Sequence, residues 1–448
     1  MYKIIVLLCL CMGTAPLWAQ DNGSVWSLEK CINYAMQNNL QVKQANLNRS
    51  QAQLTKKQAV WAQTPSISAN FRNGLNLGNS VNPTNNQLIT IPNFNSGPSI
   101  SLNGIIFQGL QIRNTITQST IDVEAAEKDV EQAKNDVALS VAQSYLSILL
   151  AQESKGVFEE QIKVTQAQYE QTLKLIEGGV LAENSKYDLE AQMARDEENI
   201  VIAENNIELA YVNLKVLMNM DVSEDIAIEI VEDLEVEESI EEASLEEVYQ
   251  EAINNQPNIL ASKLRERSAL VGVNIAKGAL WPTVSYFAGV GSNYSTAFKN
   301  PNTGESIPYF TQMGITASAN AGITLSIPIF NSLRGKINIQ RAELGVKVAE
   351  LATTQLEATL KSNIDRALTD VKAARKRLAV SQKSLRAIRL SVENTRRRYE
   401  LGVVNSFELT SVQNTLVSAE SSVLQAKYDY LFKLKILDYY RGRAITID

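Results

Sequence analysis

Few side chains in this 448-residue sequence are suited to covalent or metal chemistry, because the sequence contains no histidine. Histidine is the commonest general base and metal ligand, and it activates serine and cysteine nucleophiles. Three cysteines are present, but Cys9 and Cys11 lie near the start, and Cys31 alone cannot build a disulfide framework or a cysteine metal cluster. An enzyme with a buried carboxylate pair is the remaining catalytic alternative. Since the sequence has no phosphate loop and no metal-ligand spacing, we expect no enzyme activity, no metal and no cofactor.

The first residues have the pattern of an export signal. Lys3 precedes a short apolar run, and a cleavage site follows at Ala19. The run is too short for a membrane-spanning helix. A lipid anchor on Cys9 or Cys11 is the alternative, although neither follows the small residue that lipidation requires. We therefore predict a signal peptide over residues 1–19 and an exported mature protein.

The rest of the sequence contains one unit twice. Matching residues lie 217 apart at Ser27 with Ser244 and Pro65 with Pro282, and 223 apart at Leu102 with Leu325 and Phe107 with Phe330. A glycine turn also recurs, at residues 177–180 and 400–403. Several matches in one order indicate a structural duplication. We predict a first repeat at residues 20–220, an acidic connector at 221–243 and a second repeat at 244–448.

Each repeat is predicted to form a helix, two strands, a very long helix, a tight turn and a further helix. Apolar residues alternate with polar or small ones in the strands, as in a sheet with one buried face. A proline-free helix of about 65 residues spans about 100 Å, so it must pack lengthwise on other helices. The predicted strands lie at about 66–77, 99–106, 283–294 and 315–329, the long helices at about 111–176 and 333–400, and the tip turns at 177–183 and 401–405.

Both long helices carry apolar residues every seven positions, as coiled coils do. The series are Ile116, Val123, Val130 and Val137 in the first helix and Ile337, Leu344, Leu351 and Ala358 in the second. Ala126 and Ala133 are small, so we expect them to face a neighbouring helix at close approach.

The connector is strongly acidic: residues 221–247 include 13 Asp or Glu and no Lys or Arg. It is interpreted either as a solvated connector or as a belt that captures ions or a partner. Nucleic acid is not expected as a partner of an acidic, exported chain.

Four strands of about ten residues have the length needed to cross a bilayer in a barrel. Open sheet edges are not stable in lipid, and the smallest usual barrels have eight strands. One chain cannot close such a barrel, so several copies must share it and carry their helices as a tube into the compartment below. The pattern predicts an α+β membrane protein that acts as a conduit. A structural or adhesive surface coiled coil is the alternative, but it needs no duplicated strand pairs.

The order of these elements resembles the TolC family of outer-membrane efflux proteins over nearly all of the mature chain. The local marks are Tyr399-Glu400-Leu401-Gly402-Val403 with Glu408-Leu409, Ile327-Pro328-Ile329-Phe330, and Tyr428-Asp429-Tyr430-Leu431. The resemblance implies a homotrimer with a 12-stranded barrel in outer-membrane lipid and a long periplasmic α-helical barrel. It also implies a porin-like exit duct of a tripartite efflux or secretion system with a periplasmic membrane-fusion adaptor and an inner-membrane pump. The cargo stays open among drugs, metal ions and secreted proteins.

The resemblance also implies roles for the two tip turns, where adaptors dock and the channel narrows in the family. The corresponding docking residues here are Gly178, Gly179, Val180, Leu401, Gly402 and Val403, and those of the constriction are Asp188, Tyr399 and Glu408. A purely structural turn is the alternative for the glycines, and a solvated helical acid is the alternative for Asp188. The sequence departs from the family at Val404, where an arginine would stand, and at Ser411, where a second acid would stand. An arginine cluster at 386–398 is either a solvated helix face or a surface for an acidic partner.

Overall fold

The structure is a computed structural model that describes residues 25–81, 86–90, 92–230, 244–300, 302–443 and 445. The predicted signal peptide and residues 231–243 of the acidic connector lie outside the described residues. Most of the described chain is helical. Within it, no helix combines the length and the apolar content that crossing a lipid bilayer requires.

The elements of the first half are β1 (Val25–Trp26), α1 (Leu28–Asn38), α2 (Leu40–Trp61), β2 (Ser66–Asn76), β3 (Ser80–Val81), β4 (Leu88–Ile89), β5 (Asn93–Gln108), α3 (Gln111–Glu177) and α4 (Asn184–Met218). Those that follow are β6 (Ala227–Ile228), α5 (Leu245–Asn255), α6 (Pro257–Gly278), β7 (Thr283–Gly291), β8 (Tyr294–Ser295), α7 (Tyr309–Ile315), β9 (Ser318–Ser326), α8 (Arg334–Glu400) and α9 (Ser406–Arg441). The described part of the acidic connector contains β6, which pairs in parallel with β1.

Equivalent serines start both halves by capping a helix. The Ser27 hydroxyl accepts a hydrogen bond from the Lys30 backbone N–H at 3.3 Å. Ser244 accepts from the Glu247 backbone N–H at 3.3 Å, and the Glu247 carboxylate accepts from the Ser244 N–H at 3.0 Å. Such caps satisfy N–H groups that lack partners in the first helical turn.

The main sheet is antiparallel, with four long strands in the order β2, β5, β7, β9 and the short β8 paired with β5. The register of its first and last strand pairs repeats residue by residue. Ser66 lies opposite Asn103 in the first strand pair, and Thr283 lies opposite Ser326 in the second. Offsets of 217 and 223 convert one pairing into the other. The structure therefore confirms the predicted duplication.

The strand bounds differ from the predicted ones where long-range pairing decides them. The strand predicted at 99–106 spans Asn93–Gln108, because residues 93–98 pair with residues 71–76 of β2. That partner satisfies the backbone groups of a segment whose asparagines and glycine disfavour strands.

The second pair is shorter than predicted. The strand predicted at 283–294 ends at Gly291, and the one predicted at 315–329 covers only Ser318–Ser326. Pro328 has no N–H to donate to a neighbouring strand, and residues 309–315 form α7 instead.

Both strand-to-helix exits have the same backbone turn. Gly109 and Leu110 have φ values of 55° and 62°, and the equivalent Ser332 and Leu333 have 54° and 61°. The first half has Gly104-Ile105-Ile106-Phe107 where the second has Ile327-Pro328-Ile329-Phe330, so it lacks the proline, but the turn that follows is the same. Each exit starts a helix of 67 residues, α3 or α8.

The helices α2, α3, α6 and α8 pack in a row, in the same order as the strands they adjoin, while α4 and α9 fold back on α3 and α8. The first apolar core lies midway along α3 and includes Val141, Tyr145 and Ile148 of that helix together with Cys31 of α1. Burial raises the pKa of the Cys31 thiol to about 12. The second core lies midway along α8, around Ile364.

Candidate functional site

The two tip turns end the long helices with the same hydrogen bonds. The Val180 N–H donates to the Leu175 carbonyl at 2.9 Å, and the Val403 N–H donates to the Arg398 carbonyl at 2.9 Å. Such bonds close a helix end on a residue with left-handed φ.

The positive φ falls on one glycine in each tip. Gly179 has a φ of 70° and Gly402 a φ of 67°, in the region that glycine adopts without steric cost. Gly178 has an ordinary helical φ of −76°, and its counterpart is Leu401 with −89°. Glycine is therefore required at Gly179 and Gly402 but not by the backbone at Gly178.

The tips lie side by side and present apolar side chains to solvent. A Cβ at Gly402 would lie 3.7 Å from a methyl group of Val180. The exposed fractions are 58% for Val180, 78% for Leu401, 64% for Val403 and 73% for Phe407. We call these four residues the tip patch. A surface of this kind fits an interaction site.

Beneath the tip patch, Tyr399 connects the two long helices. Its side chain is 1% exposed, and its hydroxyl lies 2.7 Å from Oγ1 of Thr172. Because the single Thr172 hydroxyl proton is donated to the Gln168 carbonyl at 2.8 Å, Tyr399 must be the donor to Thr172. Burial raises the pKa of Tyr399, so the hydroxyl keeps this proton.

The two acids of the predicted constriction are exposed. Asp188 accepts a hydrogen bond from the Ser406 hydroxyl at 2.9 Å, which joins α4 to α9. Glu408 lies 3.4 Å from Nη1 of Arg398, with about half of each side chain exposed. Val404, where the family would have an arginine, is 6% exposed and packs with Tyr399 and Leu409.

A third contact joins the halves further from the turn. The amides of Gln192 and Asn414 donate to each other, at 3.0 and 3.2 Å. Gln192 also donates to the buried Asp196 carboxylate at 2.8 Å, and Thr165 donates to its other oxygen at 2.6 Å. The two halves are thus held together near the tip by polar contacts.

Buried polar residues line this whole end of the helices, and we call them the polar seam: Gln161, Thr165, Gln168, Thr172, Gln192, Asp196, Thr395, Ser406, Thr410 and Gln413. A cavity of about 170 Å³ lies beside Tyr399, and Gln168 and Gln413 of the seam line part of it. Both amide atoms of Gln168 and Oε1 of Gln413 lack hydrogen-bond partners there. Unpaired buried polar atoms make an interface less stable, so this end is less tightly held than the apolar cores.

The arginine cluster is largely neutralised by its own chain. Arg389 pairs with Glu420 at 2.9 Å, Arg396 with Glu400 at 3.3 Å, and Arg397 with Glu393. This favours the solvated helix face over a surface for an acidic partner. Among the described residues, no three His, Cys, Asp or Glu side chains are placed to hold a metal ion.

The main sheet has one apolar and one polar face. Ile67, Phe71 and Leu75 lie on the apolar face of β2, whereas Ser68, Asn70 and Arg72 lie on the polar face, and every residue of β2 is exposed. Aromatic rings fill the space over glycines: a Cβ at Gly104 would clash with Tyr286, and one at Gly322 would clash with Phe287. The outer edges of β2 and β9 have no partner strand in the described chain.

Several residues at the tip were not predicted, namely Thr172, Gln192, Ser406 and Asn414. One signal was available, since Gln161, Thr165, Gln168 and Thr172 are spaced four, three and four residues apart. Polar residues at core positions of a heptad pattern indicate a polar helix seam.

Comparisons with known proteins agree with this architecture. The model of the family described as Outer membrane efflux protein matches residues 31–220 and 248–442. The chain is 21% identical over 330 residues to the outer membrane efflux protein BepC of Brucella suis, covering 74% of this chain and 68% of BepC. It is 23% identical over 332 residues to the outer membrane protein TolC of Vibrio cholerae, covering 70% and 71%. A solved structure of CusC shares the fold, with a TM-score of 0.77 at 15% identity over 94% of this chain and 93% of CusC.

Proposed function

We propose that this chain, which belongs to the outer membrane efflux protein family, forms one continuous duct with two further copies of itself. It is an outer-membrane efflux channel with its helical part in the periplasm. We infer that the duct is the exit of a tripartite efflux or secretion system, in which a periplasmic adaptor and an inner-membrane pump deliver the substrate.

The open strand edges are the observation that carries this proposal. In lipid, each unpaired backbone group costs several kcal/mol, so β2 and β9 need partners. The repeat supplies them, because β2 corresponds to β7 and β9 to β5, and β5 pairs with β7 within the chain. The same offsets place Phe71 of one copy opposite Leu325 of the next, and Arg72 opposite Thr324. Apolar residues then meet on one face and polar residues on the other.

The edge helices support the same contact. Because α2 corresponds to α6 and α8 to α3, α2 of one copy should pack on α8 of the next, as α6 packs on α3. Leu344 and Val348 of α8 are 60% and 66% exposed, while their equivalents Ile121 and Ala125 are 4% and 3% exposed. The facing helix brings an exposed heptad series of Leu40, Leu47, Leu54 and Trp61. Burying these side chains stabilises the assembly by about 1.5–3 kcal/mol per large aliphatic residue.

Three copies fit a duct better than two. Two copies would supply eight strands, and the interior of an eight-stranded barrel is just filled by side chains. Three copies supply twelve and leave an open lumen. The apolar face then meets lipid, with the exposed Trp61 and Trp281 near one rim and Phe94, Tyr294 and Tyr309 near the other. Aromatic girdles of this kind flank the lipid-facing band of outer-membrane barrels.

The tips are proposed as the docking end. The tip patch offers apolar side chains to the adaptor. Gly179 and Gly402 form the turns that present these side chains, and Gly178 directly precedes Gly179 in the first turn. Tyr399, Asp188 and the Gln192–Asn414 pair hold the two halves together at rest. Three copies of Glu408 around one axis would form an acidic constriction that attracts cations.

In this arrangement, each segment of the chain has its own structural role. The repeats at 20–220 and 244–448 each supply two strands and one long helix pair. The acidic connector at 221–243 joins them midway along the helices, where β6 pairs with β1.

Cysteine cross-linking tests the proposed contact between copies. Within the chain, the Ser268 hydroxyl donates to Asp122 at 2.6 Å, and the offsets convert this pair into Gln51 of one copy and Gly345 of the next. A Cβ at Gly345 meets nothing within 4 Å, so a cysteine fits there. Oxidation of the Gln51→Cys, Gly345→Cys double variant in mild detergent should give a covalent trimer on a non-reducing gel.

The matched control is Gln53→Cys with Gly345→Cys. The equivalent of Gln53 is Leu270, which is 49% exposed and points away from the contact. This control should stay monomeric on the gel. Equal cross-linking of both pairs, or a stable monomer by light scattering in mild detergent, contradicts the shared duct.

A further inference from the structure

A single charged residue stands out in the four long strands of the main sheet. Every residue of β2, β5, β7 and β9 is described, and among them only Arg72 carries a charge. The other polar positions hold serine, threonine, asparagine or glutamine. A lone charge in an otherwise neutral wall sets the sign of the local potential by itself.

Arg72 lies on the polar face, where the neighbouring strand leaves space for its long side chain. Its partner in the register is Gly97, and two residues further along β2 is Gly74, so neither position places a side chain beside the guanidinium group. Arg72 itself is exposed. Nothing in the described chain forms an ion pair with it, so its charge is uncompensated.

Around Arg72, the sheet forms a recess lined by amides. The recess has a volume of about 550 Å³, and its polar side chains include Asn70, Asn76, Asn95 and Asn293. Asparagine side chains donate hydrogen bonds through their NH₂ groups. Guanidinium groups bind carboxylate and phosphate oxygens through two parallel hydrogen bonds. This combination of groups suits an oxyanion and contains no carboxylate that would suit a cation.

We propose that Arg72 forms an anion-attracting ring in the outer part of the lumen, which favours the passage of solutes that carry carboxylate, phosphate or sulfate groups. This inference rests on the proposed function, because the ring requires three copies with the polar face inward. In the proposed register, Arg72 lies beside the contact between copies, opposite Thr324, so three guanidinium groups are spaced evenly around one axis.

The size of the effect follows from Coulomb's law with screening. An anion about 10 Å from each of three guanidinium groups in 0.1 M salt is enriched roughly twofold, and a cation is depleted by a similar factor. Removing the charge should therefore lower the ratio of chloride to potassium permeability about two- to fourfold. In 1 M salt the screening length falls to about 3 Å, and the difference should vanish.

Reversal potentials in planar bilayers test the ring with the full-length assembled protein. With 0.1 M KCl on one side of the bilayer and a lower KCl concentration on the other, Arg72→Gln should shift the reversal potential toward cation preference. Arg72→Lys keeps the positive charge, so it should keep the wild-type reversal potential. Ser68→Ala is the matched control, since Ser68 is a neutral residue of the same face of β2 that lies outside the recess, and this change should leave the reversal potential unchanged.

The outcomes separate this inference from the proposed function. If the wild-type protein forms neither trimers nor pores, the proposed function fails and the ring fails with it. If trimers and unitary conductance are intact but Arg72→Gln leaves the reversal potential at the wild-type value, only the ring is overturned. If Arg72→Gln does not assemble, pyrophosphate is added instead to the outer side of the wild-type pore, the side opposite the helices. Block of the current at 0.1 M KCl that is relieved at 1 M KCl supports the ring, and absence of block overturns it.

Discussion

Removing the Tyr399 hydroxyl should open the tip without unfolding the helices. In Tyr399→Phe the ring still fills its buried place, and Thr172 keeps its hydrogen bond to the Gln168 carbonyl, so the change deletes only the bond between the two long helices. A neutral hydrogen bond of this kind contributes about 1 kcal/mol. The ratio of open to closed channels should rise about fivefold if each tip opens alone, because one bond is lost. It should rise about 150-fold if the three tips of a trimer open together, because three bonds are lost.

Single-channel recording in planar bilayers measures this open population directly. Tyr169→Phe is the matched control: its hydroxyl donates to Glu190 at 2.9 Å, but both residues belong to the first half and do not connect the two halves. Tyr399→Phe trimers that open as rarely as the wild type, or Tyr169→Phe trimers that open as often as Tyr399→Phe trimers, would refute this role of the Tyr399 hydroxyl.

Three further changes test the tip turns, the acidic constriction and the helix packing. Gly179→Ala should lower thermal stability by about 1 kcal/mol because of its positive φ, whereas Gly178→Ala should not; equal melting temperatures would contradict the turn geometry. Glu408→Gln should reduce cation preference in planar bilayers while circular dichroism stays unchanged, and an unaltered reversal potential would place the constriction elsewhere. Ala133→Phe should cost about 1–3 kcal/mol in thermal unfolding, since Ala133 is 7% exposed in the core along α3, and wild-type stability would show that this helix face is not packed.

Local patterns predicted the elements of this fold but not every strand end. The long helices begin and end within one residue of the predicted positions, because the glycine turns mark their ends. Residues 93–98 precede the strand predicted at 99–106 and have a composition that disfavours strands, so only the facing strand β2 explains their pairing. The helix α7 was missed for a similar reason, because it lies within a segment whose prolines and glycines indicate a loop.

The tip was predicted in part. The glycine pattern located both turns, but it did not separate Gly179, whose φ needs glycine, from Gly178, whose φ does not. The bond from Tyr399 to Thr172 joins residues 227 positions apart. Such a contact depends on how the two halves superimpose, which no local pattern records.

The distribution of polar and apolar contacts explains why opening should be confined to the tip. Midway along the bundle, Tyr145 and Ile148 of α3 lie in an apolar core whose separation would expose large side chains, each worth about 1.5–3 kcal/mol. About 35 Å further along α3, Thr172 lies in the polar seam, where separated groups regain hydrogen bonds to water. Each contact there contributes only about 0.5–1.5 kcal/mol. If the proposed adaptor binds the tip patch more tightly when the tips are spread, it needs to overcome only a few such bonds per copy. The apolar cores meanwhile hold the middle of the helices together.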